Sequence, residues 1–235
     1  MCYNAVKQST GQKHILGTQT MQVIKRDGTT EDLNIDKLHR VVMYACEGIT
    51  GVSASEVEIH SQIQFFDKIV TENIQETLIK SAADLISEES PNYQYVAGRL
   101  INYHLRKQVY GTFTPPCLCD IIDDNISAGF YDSEFTELYT KDEINELQTF
   151  IDHNRDEFLT YAAMEQFRGK YLVQNRSTGK LYETPQVAYM MIAATLFGKY
   201  PADTRMKYVK DYYDAISTFK ISLPTPVMAG VRTPQ

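Results

Sequence analysis

Tryptophan is absent from this 235-residue chain, and cysteine is sparse: Cys2, Cys46, Cys117 and Cys119 are the four. No Cys-x-x-Cys pair and no paired framework occurs, which argues against a zinc ribbon or disulfide scaffold and for ordinary thiols. There is no long basic run, and the net charge is −7. A phosphate-backbone partner selects a basic face, so nucleic acid is not an expected ligand. No apolar stretch reaches the roughly 20 residues of a membrane span and no signal peptide opens the chain, so a soluble, intracellular (cytoplasmic) protein is expected. The phosphate loop GxxxxGK, the dinucleotide fingerprint GxGxxG, the HExxH zinc helix and the GxSxG elbow are all missing. His39, His60 and His104 fall in helical patterns without a second ligand one turn on, so no metal site is expected.

The length allows one large or two small domains around a real apolar core. Residues 1–20 are polar and aperiodic and read as a flexible extension. From Met21 the chain alternates, turns at Asp27-Gly28 and alternates again, a strong hairpin signal. Leu38, Val41, Val42 and Ala45 have helical spacing, with Gly48 and Gly51 beyond their end. Ser53 with Glu56 predicts a capping box on a second helix. Thr71 precedes a third, striped by Ile74, Leu78, Ala82 and Leu85, and Pro91 opens a fourth that runs to Val109. Pro115-Pro116 marks a joint. Further helices are expected over about 117–129, 141–150 (capped by Thr140 with Glu143) and 153–168, then a second hairpin around Ser177-Thr178-Gly179, and helices opened by Pro185 and Pro201. The end, "FKISLPTPVMAGVRTPQ", reads as an extended apolar run broken by prolines.

Lys25, Arg26 and Lys37 can converge, because the hairpin returns to the start of the first helix. A helix N-terminus adds free N–H groups and partial positive charge. Glu31 and Asn34 stand nearby as acceptors. Thr71 and Gln75 lie one helical turn apart, and Lys107, late in the fourth helix, can return to the same end of the bundle. This set can form a triphosphate cage. The competing reading is lysines on a solvated helix face.

The strings "VIKRDGTTEDLNIDKLHRVV", "TENIQETLIKSAADLI" and "PNYQYVAGRLINYHLRKQVYG" resemble the ATP cone of the large (alpha) subunit of class I ribonucleoside-diphosphate reductase. The likeness continues through "FIDHNRDEFLTYAAMEQFRGKYLVQNRSTGKLYETPQ" and "DYYDAISTFKISLPTPVMAGVRTP", so that it covers residues 21 to 235. It implies a mainly α (α+β) fold in four parts. These are the extension (1–20), an ATP cone of β-hairpin plus four helices (21–112), a helical reductase domain with a small hairpin (113–218), and the first strand of an incomplete α/β barrel (219–235). It implies ATP as activating and dATP as inhibiting effector, with magnesium as a possible companion ion. Lys25, Arg26, Lys37, Thr71 and Lys107 match the phosphate ligands, Glu31 and Asn34 the base-addressing positions, and Leu38 an apolar position beside the adenine. Gln75 departs from the histidine that many members carry there, which bears on dATP inhibition more than on binding.

In that family "ISLPTP" opens the catalytic barrel, and Thr225 matches a residue holding the substrate phosphate. The redox and thiyl-radical cysteines, the carboxylate base and the specificity site have no counterpart before Gln235. No catalytic residue is therefore assigned, and the chain alone is expected to be inactive. The resemblance implies three partners: a complementary C-terminal part of the large subunit, a radical-bearing small (beta) subunit, and a second large subunit as dimer. Either a split gene or a shortened chain fits. The alternative is a stand-alone nucleotide-binding regulator.

Overall fold

The computed structural model describes residues 21–25, 27–62 and 64–234. The predicted hairpin is β1 (Gln22–Ile24) against β2 (Thr30–Asp32), antiparallel with Val23 opposite Glu31. Gly28 takes φ +82°, which only glycine adopts without strain. Asp27 closes the turn by accepting from the Thr29 amide at 2.9 Å and its hydroxyl at 2.6 Å. The first helix, α1 (Ile35–Cys46), starts at Asn34, whose side chain accepts from the Lys37 amide at 2.8 Å. It buries Val41, Val42 and Ala45, the predicted stripe, and Gly48 follows its end at φ +69°. On α2 (Ala54–Gln62) the capping box is half formed. The Glu56 amide reaches Ser53 Oγ at 3.4 Å, but the Glu56 carboxylate is taken by the hydroxyl of Tyr93.

A short strand the alternation does not reveal, β3 (Ile69–Val70), pairs parallel to β1, so the sheet order is β2-β1-β3. Two residues carry too little period to be read. What places them is apolar burial, with Val23, Ile69 and Ile74 forming one small core under Leu33, Leu38 and Phe65. The strand runs directly into α3 (Thr71–Asp84), which buries Ile74, Leu78 and Ala82. Then α4 (Tyr93–Tyr110) ends on Gly111 at φ +74°, whose amide returns to the Lys107 carbonyl at 3.0 Å.

The long α4 is buried on two sides. One packs on α3 and α1; the other meets a 3-10 turn (His153–Phe158) and α8 (Tyr161–Gln166). Between α4 and that turn come α5 (Leu118–Ser127), α6 (Glu134–Leu138) and α7 (Lys141–Phe150), the last with the predicted reciprocal Thr140–Glu143 box. Here the structure corrects the single helix expected over 153–168. The buried Asp156 carboxylate binds Arg106 and Gln186, Thr160 caps a new start, and a π-turn (Phe167–Tyr171) finishes the run. The second hairpin is reduced to one isolated bridge, Gln174 to Leu181, because the Val173 amide is claimed by the Glu183 carboxylate at 2.7 Å.

Pro185 opens α9 (Pro185–Phe197), which is buried from Pro185 through Ala194, and Pro201 caps α10 (Ala202–Ser217). The expected strand at the end is also corrected. Residues after Phe219 cross over without a ladder partner and form α11 (Thr225–Gly230), with Pro226 in its first turn. The helix is held by Arg232, fully buried and paired with Glu183, which also accepts from the Tyr131 hydroxyl at 2.6 Å. A strand needs neighbours, and none of the described segments offers an edge here. Thr225 is the first residue of α11 and exposed. One buried cluster runs unbroken from α1 to α11. Among the described residues no helix is long and apolar enough to cross a membrane.

Candidate functional site

Where the hairpin closes over the starts of α1 and α3 and the end of α4, it leaves a cavity of about 420 Å³. Its apolar wall is Val23, Leu33, Leu38, Val41 and Ile74; its cations are Lys25, Lys37 and Lys107; Asp27, Glu31, Asn34, Thr71, Gln75, Tyr103 and His104 complete it with Gly111. Eight of the nine residues expected for a triphosphate cage thus share one cavity. The ninth, Arg26, lies outside the described residues.

The charges are arranged, not scattered. Lys25 Nζ lies 2.6 Å from Glu31 Oε2 across the hairpin, and that hydrogen bond holds its ammonium above the ordinary lysine range. The pair follows from the register, since Val23 opposite Glu31 puts residues 25 and 31 diagonally across the ribbon. Lys107 Nζ stands 4.5 Å over the ring of Tyr103, one turn back on α4. Lys37 sits in the first turn of α1. Thr71 is the first residue of α3, and Val70 before it supplies no side-chain cap, so the first-turn amides of α3 have no side-chain acceptor there. Hydrogen bonds from Thr29 hold the Asp27 carboxyl below its usual range, so it stays anionic at the rim.

Two assignments gain detail. Asn34 Oδ1 is committed to capping α1, which leaves its amide nitrogen as the group available to a ligand. Gln75 Oε1 is buried and has no hydrogen-bond partner among the described residues. Sequence reasoning missed Tyr103 and His104, although both stand one turn from Lys107 and share its helix face. Thr225 is not among the residues lining this cavity.

The cysteines stand elsewhere. Burial pushes the Cys46 thiol up to about 11; Cys117 caps α5 through its sulfur, and Cys119 lies 3.4 Å from Asn145 Oδ1. Among the described residues no three His, Cys, Asp or Glu side chains come together as a metal site.

Two family descriptions match the chain: "ATP cone domain" over residues 21–108 and "Ribonucleotide reductase, all-alpha domain" over residues 157–235. The chain is 56% identical over 216 residues to ribonucleoside-diphosphate reductase 1 subunit alpha of Escherichia coli strain K12, covering 92% of itself and 28% of that subunit. It is 42% identical over 218 residues to the alpha subunit of Enterobacteria phage T4, covering 92% of itself and 28% of the phage subunit. To the Helicobacter pylori alpha subunit it is 33% identical over 211 residues, 90% of itself and 26% of that protein. The chain therefore spans little more than a quarter of the length of the curated relatives it matches.

Proposed function

The chain matches the N-terminal portion of class I ribonucleotide reductase alpha subunits, an ATP cone joined to the all-alpha domain, and from that premise we propose that its cavity binds ATP or dATP as an allosteric effector of ribonucleotide reduction. The observation that carries this is the convergence of three lysines and the uncapped N-terminus of α3 beside an apolar wall. Ammonium groups and helix N–H donors suit the triphosphate, and the Val23–Leu38–Val41 wall suits a flat base. Glu31 and the Asn34 amide offer an acceptor and a donor for the base edge. Magnesium, where it accompanies the nucleotide, would be held by phosphate oxygens.

In this reading residues 21–112 are the regulatory cone, 113–218 the helical reductase domain and 219–235 the approach to the catalytic barrel. The chain contributes regulation. Reduction of ribonucleoside diphosphates draws its cysteines from the remainder of the large subunit and its radical from the small subunit, with large subunits paired. Thr225 contributes to the substrate site once the barrel is assembled.

Calorimetric titration with ATP tests the effector site. Each charge-assisted contact contributes roughly 1.5–3 kcal/mol, so Lys37→Ala should weaken binding by about tenfold or more. Equal affinity of wild type and variant would overturn the cage.

A further inference from the structure

The cavity shares a wall with the seam between the cone helices and the segment beyond them. His104, on α4, is 2% exposed and lines the cavity. Its Nε2 lies 3.5 Å from Oε1 of Glu76, the neighbour of Gln75 on α3. Glu76 also accepts from Arg168 Nη1 at 2.7 Å and Nη2 at 3.3 Å. Arg168 belongs to the π-turn outside the cone and is gripped from its own side by Glu165 at 2.6 and 3.0 Å. Burial works against the guanidinium charge; the hydrogen bonds to Glu165 and Glu76 outweigh it and hold the group protonated. Glu76 therefore stands between a permanent cation, Arg168, and a titratable one, His104.

On its other side His104 shares the cavity with Lys25, Lys37 and Lys107, against which stand Glu31 and Asp27. Without a ligand the lysines disfavour a proton on the imidazole. A triphosphate neutralises them and adds negative charge of its own, so the same imidazole is then flanked by a polyanion and a carboxylate. Both favour imidazolium. We propose, resting on the reading of the cavity as a triphosphate site, that nucleotide binding draws a proton from solvent onto His104, and that Arg168 sets the pH of this event by competing for Glu76.

The linkage is reciprocal: a ligand that brings a proton with it binds more tightly as pH falls. One proton corresponds to at most about tenfold in affinity per pH unit. Removing the Arg168 charge leaves Glu76 to His104 alone, so the imidazole binds its proton more readily and the affinity decline moves to higher pH. Removing the Glu76 charge moves it to lower pH. Each displacement should reach at most about one pH unit, because the Glu76 side chain is 46% exposed and solvent screens its charge. Arg168 lines no part of the cavity, so a contact-only account assigns it no effect on the profile.

The test is calorimetric titration of the whole chain with ATP from pH 6 to 8.5, in buffers of differing ionisation enthalpy. The difference in heat counts protons taken up, and the proton of the ATP terminal phosphate cancels between wild type and variants. Wild type should take up to one proton more than His104→Gln and show the steeper pH dependence. Arg168→Gln should shift the wild-type profile upward and Glu76→Gln downward. Equal proton counts in wild type and His104→Gln, or superimposable profiles for wild type, Arg168→Gln and Glu76→Gln, would overturn the proposal. The Arg168 variant lies outside the cavity and decides the matter even where His104→Gln unfolds. No ATP binding by wild type would remove the site and this linkage together; tight binding with unshifted profiles would remove only the linkage.

Discussion

Gly98, on α4, packs directly against the backbone of Leu159 and Thr160 beyond the cone helices. A Cβ built there would lie 2.1 Å from the carbonyl oxygen of Leu159 and 3.1 Å from the carbonyl carbon of Thr160. Real Cβ contacts essentially never fall below 3.0 Å, so Gly98→Ala must open the seam by about 1 Å against backbone that cannot rotate away. Two effects oppose each other. Alanine favours a helix interior over glycine by roughly 0.8–1 kcal/mol. Forcing one extra carbon into a packed contact costs about 1–3 kcal/mol, and this contact lies at the severe end. The steric effect should win, with a net loss of about 1–2 kcal/mol. For a chain of this size that lowers the melting temperature by roughly 2–8 °C. Urea unfolding of both proteins, at matched slope, measures the difference. Gly169→Ala is the control, since nothing stands within 4 Å of a Cβ there. A Gly98→Ala protein as stable as wild type, or more so, would show that the α4 seam is not closed as described.

The other expectations rest on separate features. ATP and dATP should bind within about threefold of each other, because glutamine cannot become cationic, and Gln75→His should separate them; wild-type discrimination beyond tenfold by calorimetry would count against a blunted dATP response. Burial, with help from Arg106, depresses His153 to about 4, so the unfolded chain gains a proton first and stability falls as pH drops from 6.5 toward 4. That amounts to about 2–3 kcal/mol. The Asp156 carboxyl, raised by burial to about 6, acts in the opposite direction over the same window. The two largely offset each other in wild type, so His153→Gln should leave the Asp156 contribution unopposed and become more stable as pH falls from 7 to 5, and a urea midpoint difference between pH 7 and pH 5 unchanged from wild type would refute this. Arg232→Met leaves Glu183 charged and buried without its partner, which costs roughly 3–5 kcal/mol; adding Glu183→Gln should recover part of it, and a single-variant loss below about 1 kcal/mol would show that the tail is not anchored by this pair.

Local chemistry made much of the helical framework legible in the sequence. Asp27-Gly28, the stripe from Leu38 to Ala45, the Thr140–Glu143 box and the prolines at the starts of α9 and α10 each act over a few residues, and each forms where its pattern says. Eight of the residues lining the cavity were legible too, because a likeness to a known family named them one by one, whereas Tyr103 and His104 were not. Where the outcome hung on partners far along the chain, the sequence was silent or misleading. The parallel strand at Ile69 exists because Val23 lies beside it; the run from His153 to Tyr171 breaks because Asp156 turns inward to Arg106 and Gln186; the tail folds as a helix because Arg232 finds Glu183. The reach of Glu76 from the His104 wall to Arg168 is of the same kind, spanning 92 residues. Backbone propensity is a property of neighbours in sequence, whereas a buried charge takes whatever counter-charge the fold brings within about 3 Å, and the energy of leaving it unpaired exceeds any local preference.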